Sequence, residues 1–398
     1  MKKRATGAPA SDFSLRAMVY DPKIRSIFFQ VSTAIIFVIL VWMISHNVAE
    51  NLARSNTASG FDFLKRRAGF DIGDSLIPYT ADSSYGRAIF VGFLNTLLIA
   101  AIGIVTATII GFLIGLGRLS HNWLISRLCT VYVEIFRNIP PLLVIFFLYK
   151  GVLGVLPNVK DSLEIPGVHI FLNNRGLVFP KAVWGEGSVW IAIAFAIAVV
   201  ASLLIRRWSY KRQMATGQQF PIFKVAAGLI IGLPLLVFLV LGAPLSFDIP
   251  QGGRFNISGG SSILPEFFAL YIALSLYTGS FIAEIIRAGI RGVPKGQTEA
   301  ATALGIQPST TTRLVVVPQA MRIIIPPLTS QYLNLTKNSS LGIAVGFPDL
   351  VATGGTTLNQ TGQAVEVVLI WMVVYLSLSI SSSLFMNWFN AKMALVER

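Results

Sequence analysis

The chain has 398 residues, of which 54% are hydrophobic and only 13% charged, with 32 Lys and Arg against 18 Asp and Glu. Water-soluble domains carry roughly a quarter charged residues, so a surface this poor in charge must face something apolar. The net charge of +14 falls in loops beside apolar runs, which points to membrane topology and away from nucleic acid, and the single cysteine excludes a disulfide framework.

A bilayer span needs about 20 mostly apolar residues. Such runs occur at 28–45, 88–116, 123–148, 189–205, 225–241, 267–286, 328–345 and 365–386, predicting an all-α polytopic membrane protein with about eight transmembrane helices. Before the first run stand Lys2, Lys3, Arg4, Arg16, Lys23 and Arg25. That run lacks an Ala-x-Ala exit, so it reads as a retained helix and not as a cleaved leader. The loop 46–87 is polar and mixed in charge, with little material for a core.

In the second run, Gly111 and Gly115 are four apart, as are Gly228 and Gly232 in the fifth. Small residues at that spacing let helices approach closely. Pro140-Pro141 predicts a kink in the third span, where neighbouring groups can satisfy the freed carbonyls. The loop 149–188, with Pro157, Pro166, Gly167, Gly176 and Pro180, is expected to form a small external cap. Pro244, Pro250, Gly252 and Gly253 mark turns before the sixth span, and Pro348, Gly354 and Gly355 mark turns after the seventh. The seventh run carries Asn334, Thr336, Lys337, Asn338, Ser339 and Ser340, so one side of it cannot face lipid. Trp42, Trp123, Trp190, Trp371 and Trp388 lie near span ends, as an aromatic belt requires. Cys129 sits in an apolar helix, and His46, His121 and His169 lie far apart without ligand spacing, so no metal site is expected.

Orientation follows from the Lys and Arg distribution. With the N-terminus inside, the segments 1–27, 117–127, 206–224, 287–326 and 387–398 are cytoplasmic and hold 20 of the 32 basic residues. Acidic residues show the reverse bias, with only Asp12, Asp21, Glu299 and Glu397 inside. Both termini are therefore expected in the cytoplasm.

The stretch 289–327 is unlike the other loops. Gln297 to Leu304 reads as a short helix rich in alanine, with Glu299 in its first turn and Gly305 placed to stop it in the left-handed conformation. Pro308 can open a second helix, where its missing N–H costs nothing. An amphipathic helix resting on headgroups needs a wide Leu, Phe or Trp face. Residues 297–304 offer alanines and one leucine, which favours docking in a protein groove.

Glu299-Ala300-Ala301, then Gly305, then Pro318 resembles the "EAA" loop of bacterial ATP-binding-cassette importer permeases. Tyr132-Val133-Glu134-Ile135-Phe136-Arg137-Asn138-Ile139-Pro140-Pro141 is similar to the second core helix of the polar-amino-acid permeases in that family. Ser280 to Ile290, which leads into the loop, and Leu335 to Leu341 are similar to further core segments. The likeness covers about 88–156 and 264–390. The extra first helix and the extra pair at 189–241 resemble the larger permease subunit of general L-amino-acid importers, or of importers for glutamate, glutamine, aspartate and asparagine.

The resemblance implies a type I importer permease with a five-helix core, divided as follows. Residues 1–87 hold the basic N-terminus, first helix and external loop. Residues 88–390 form the transmembrane domain, with an insertion at about 157–263 and a coupling loop at about 289–326. Residues 391–398 form a cytoplasmic tail. The resemblance also implies a multi-pass protein of the bacterial inner membrane. Its expected partners are a cytoplasmic ATPase dimer that binds ATP and Mg, a second permease chain (a paralogue or a second copy) and a periplasmic amino-acid-binding protein. No GxxxxGK[ST] loop occurs, so no cofactor is expected in this chain. Glu299, Ala300, Ala301 and Gly305 are the expected ATPase-coupling residues. For a zwitterionic cargo, Lys337, Asn338, Ser339 and Ser340 can supply donors to the carboxylate, and Glu284 an acceptor for the ammonium. Glu134, Arg137, Pro140 and Pro141 serve structure or path, since Glu134 with Arg137, and Glu284 with Arg287, are spaced to pair within one helix. The competing reading, an ion-coupled secondary transporter acting alone, expects inverted repeats, and none is evident.

Overall fold

The computed structural model describes residues 22–54, 60–73, 75–253 and 256–393. The basic stretch 1–21, its expected cytoplasmic placement and the tail 394–398 lie outside the described residues, as does Arg254. Among the described residues, six helices are long and apolar enough to cross a bilayer, and two bent pairs bring the number to as many as eight.

Helix α1 (Pro22–Arg54) is the first expected span, and none of its apolar stretch is buried within the chain. Such a helix is stable only where lipid or another protein covers it. The core forms where α2 (Tyr85–Gly117) crosses α7 (Pro265–Arg291). The Ser84 hydroxyl caps α2 by accepting from the Arg87 N–H. Gly103, Ala107, Gly111 and Gly115 recur every four residues on the buried side of α2. A methyl at Gly111 would stand 2.5 Å from Ile282 Cβ, and one at Gly115 would stand 2.8 Å from the Ala283 carbonyl oxygen. Backbone therefore meets side chain directly, as the spacing predicts. Gly228 and Gly232 face open space, so the same spacing brings nothing together there. Ile99, Leu270, Leu274, Ile282 and Leu335 fill the centre.

The third expected span breaks and does not merely kink. Its halves, α3 (Trp123–Asn138) and the turn-rich stretch beginning with α4 (Pro141–Phe146), diverge by 109°. Two consecutive prolines remove two N–H donors and hold Ile139 extended at φ −105°, ψ 133°, which ends α3 outright. Asn122 starts α3 by accepting from the Leu124 and Ile125 amides.

Strands appear where the cap was expected. β1 (Leu163–Ile165), β2 (Ile170–Asn173), β3 (Gly176–Phe179) and β4 (Lys181–Trp184) precede a helical hairpin, α5 (Val189–Thr216) and α6 (Ile222–Val240), whose arms pack on each other. β5 (Leu245–Asp248), β6 (Gln251–Gly252), β7 (Ile257–Ser258) and β8 (Ser261–Ile263) follow. All pairings are antiparallel, in a four-stranded sheet of order β1-β2-β3-β8 and the pairs β4-β5 and β6-β7. Strands of two to four residues leave too short an alternation to read from sequence.

The loop after α1 buries Phe63, Ala68 and Ile72 against Ala88 and Val91 of α2 and against Leu350 and Val367, so it joins a core shared with the helices. Within 289–326, residues 289–291 continue α7 and the stretch from Pro308 onward is helical, as Pro308 predicts. α8 (Lys295–Ala303) and α9 (Pro308–Thr311) lead through one π-type turn into α10 (Val317–Asn338). A 3-10 segment, Ser339–Val345, and α11 (Leu350–Thr361) complete a span bent by 51°. Gly354 and Gly355 thus lie inside a helix and not in a turn. At Gly354 the missing side chain admits the Trp371 ring, whose indole N–H donates to the Leu350 carbonyl at 3.0 Å. Trp371, on α12 (Ala364–Met393), is therefore anchored in protein. The cap and α8 lie at opposite ends of α7, whose 27 residues span about 40 Å.

Candidate functional site

Three arginines converge on one carboxylate at the α8 end of the core. Glu284 on α7 pairs with Arg118, which caps α2, and with Arg287 one turn on at 2.9 Å. Arg137, near the end of α3, stands 3.8 Å from the same carboxylate and lies over the Phe281 ring at 5.5 Å. The Arg118 side chain is only 6% exposed, so its charge depends on Glu284. The expected pairing of Glu284 with Arg287 is present. The pairing of Glu134 with Arg137 is not, because α3 packs on α7 and presents Arg137 to Glu284. Glu134 is exposed and accepts from the Asn138 side-chain amide at 3.4 Å. In this conformation guanidinium groups surround the Glu284 carboxylate, whose side chain is 27% exposed. Arg118 was missed in the sequence because it reads as an ordinary loop charge. The available signal was its place immediately after Gly117, at the end of an apolar run.

At the same end, α8 is presented as an isolated short helix. Pro294 precedes it in an extended conformation, and Gly305 ends it at φ +71°. The Ile306 N–H donates to the Ala301 carbonyl and the Gly305 N–H to the Thr302 carbonyl, which closes the helix as its glycine predicts. Of the residues expected to couple, Ala301 is buried toward the chain, whereas Glu299, Ala300 and Gly305 are exposed. Leu304 beside them is 78% exposed. A nine-residue helix that offers small side chains, one carboxylate and one uncovered leucine is shaped for a complementary groove.

The polar stretch on α10 lies elsewhere. Leu335 packs at Gly103 of α2, while Glu284 meets Arg118, fifteen positions further along that helix and so about 22 Å away. Lys337 is exposed and Asn338 half-buried, whereas Ser339 is buried and donates to the Thr336 carbonyl. The Ser340 hydroxyl donates to the Lys337 carbonyl. Among the described residues no contact joins this stretch to Glu284, so the two halves imagined for one zwitterion site do not meet.

Beyond Ser340 the span breaks, and side chains take over the freed backbone groups. The Asp349 carboxylate accepts from the Ala352 N–H at 2.8 Å, and the Thr96 hydroxyl accepts from the Leu350 N–H at 3.1 Å. The Asn95 side-chain amide donates to the Pro348 carbonyl at 2.9 Å. Asp349, fully buried, gave no sign of this role in the sequence because it stands in what reads as a Pro-Asp turn.

With this geometry established, comparison with known proteins is informative. A profile described as "Binding-protein-dependent transport system inner membrane component" matches residues 206–395. The chain is 67% identical to the general L-amino acid transport system permease protein AapQ of Rhizobium johnstonii, over 97% of this chain and 96% of that one. It is 49% identical to the putative amino-acid ABC transporter permease protein YhdX of Escherichia coli, over 95% and 96% of the two chains. It is 40% identical to the glutamate/glutamine/aspartate/asparagine transport system permease protein BztB of Rhodobacter capsulatus, over 99% of both.

Proposed function

The chain belongs to the family of binding-protein-dependent transport system inner membrane components, as an amino-acid ABC transporter permease subunit, and from that premise we propose how its parts divide the work. It is a multi-pass protein of the inner membrane that carries L-amino acids inward. Hydrolysis of ATP belongs to a separate subunit, since this chain offers no phosphate-binding loop. The α8 end faces the cytoplasm and the β cap faces outward. α8, with Glu299, Ala300, Ala301 and Gly305, seats in a groove of an ATPase dimer that holds ATP and Mg. Closure of that dimer moves α8, and through α7 and α10 it moves the core between outward-open and inward-open states. ATP can drive this only by binding the two states differently.

A second permease chain completes the pathway. A paralogue fits this role better than a second copy, since the inserted cap and hairpin make this the larger subunit type. A periplasmic amino-acid-binding protein delivers the cargo to the cap face. Full-length similarity to AapQ is the observation that carries the reading. The test is uptake of radiolabelled L-amino acids into proteoliposomes holding this chain, its partner permease, the ATPase and the binding protein. Uptake that needs internal ATP is expected. Uptake by this chain alone, driven by an ion gradient, would replace the reading with a secondary transporter.

A further inference from the structure

At the cap face, a cavity of about 450 Å³ lies between the end of the broken third span, the β2–β3 turn and the start of α7. Its size falls within the roughly 300–1,000 Å³ usual for small-molecule sites. We propose that this cavity binds a free α-amino acid, with Glu266 receiving the ammonium and Lys150 and Arg175 the carboxylate. The proposal rests on the amino-acid reading above and goes beyond it, because it gives the outer face of the permease a cargo site built partly from the inserted cap.

Tyr149 holds Glu266 and Lys150 by contacts that leave a ligand-binding atom free, and the β2–β3 turn carries Arg175. Glu266 sits in the first turn of α7, and its Oε1 accepts from the Tyr149 hydroxyl at 2.7 Å. Among the described residues no donor meets its Oε2. Lys150 lies over the Tyr149 ring with its ammonium 4.9 Å from the centroid, so one tyrosine positions both the acid and the base. Arg175 stands at the tip of the β2–β3 turn, which is fixed by its own N–H donating to the Asn173 Oδ1 at 2.8 Å. Among the described residues neither Lys150 nor Arg175 has a carboxylate within ion-pair reach. Leu153 is buried beneath them and closes the floor. Cations and a carboxylate separated across one small cavity match the two ends of a zwitterion. The second cation leaves a net positive site, which favours glutamate or aspartate over lysine or arginine.

The experiment measures binding of L-glutamate, L-leucine and L-lysine to the complete transporter in nanodiscs, without the binding protein, by saturation-transfer NMR. Saturable binding in the order glutamate, leucine, lysine is expected. K150A/R175A should weaken glutamate binding at least tenfold, and E266Q, which keeps an acceptor for Tyr149, should weaken all three ligands. Both variants should co-purify with the ATPase at wild-type yield, and R175A alone, at an exposed turn tip, provides a second reading if the double variant assembles poorly. Wild-type and variant proteins that bind alike, or no saturable binding by wild type, would overturn the proposal. The same complex, reconstituted into proteoliposomes with the binding protein and tested for ATP-driven uptake, separates the two failures. Uptake without binding in this cavity removes only the cavity, whereas absence of amino-acid uptake removes the reading on which it rests.

Discussion

Replacing Glu284 with glutamine removes the one anion shared by Arg118, Arg137 and Arg287 while preserving the side-chain shape. Breaking a buried ion pair by removing one partner costs about 3–5 kcal/mol, because the remaining charge is left uncompensated. Glu284 and Arg287 are each about a quarter exposed, and Arg137 more so, so water screens part of that loss. Arg118, at 6% exposure, is not so relieved. A destabilisation of roughly 2–3 kcal/mol is therefore expected for E284Q. Replacing Arg118 with methionine in the same protein removes the stranded charge, so R118M/E284Q should be more stable than E284Q alone. Thermal unfolding of the solubilised protein across the four-member cycle provides the measurement, with a coupling of at least 1 kcal/mol expected between the two positions. If E284Q unfolds like wild type, or the two changes add, the carboxylate is not what holds α2 to α7 at this end.

The other expectations can be checked with single substitutions. Gly305→Val places a β-branched residue at φ +71°, a conformation that costs L-residues roughly 1–2 kcal/mol, and should reduce co-purification of the ATPase, whereas Gly305→Asn should retain it. Gly111→Leu drives a side chain into Ile282 and should abolish monodisperse protein on size exclusion, whereas Gly228→Leu, in open space, should leave it intact. Lys337→Ala should lower amino-acid uptake with ATPase assembly unchanged, and unaltered uptake would remove Lys337 from the path.

The helical plan was legible in the sequence because a bilayer imposes a length and polarity rule that a run such as 88–116 either meets or fails. The end of α8 was legible for a similar reason, since Gly305 sits where only an achiral residue closes a helix without strain. What sequence could not show was which elements meet. Pro140-Pro141 announced a disturbance but not a 109° break, and the packing of α3 on α7, which brings Arg137 to Glu284 and not to Glu134, depends on contacts between helices. The same limit applies to Lys337 and Glu284. Their chemistry suits a zwitterion, but each is fixed to α2 at a different height. Gly354 read as a turn residue because its true partner, the Trp371 ring, belongs to the next helix. The cap strands were hidden by their brevity, and with them the juxtaposition of Lys150, Arg175 and Glu266.

The central claim is that α8 is the contact through which a separate ATPase moves this chain. Leu304 tests it most directly, being a large apolar side chain almost wholly uncovered at the end of that helix. A photo-reactive benzoylphenylalanine in place of Leu304, irradiated in the assembled transporter, should cross-link to the ATPase subunit in high yield and change its yield when ATP is bound. Cross-links to lipid alone, or labelling of this position by a membrane-impermeant reagent added outside the cell, would contradict the account.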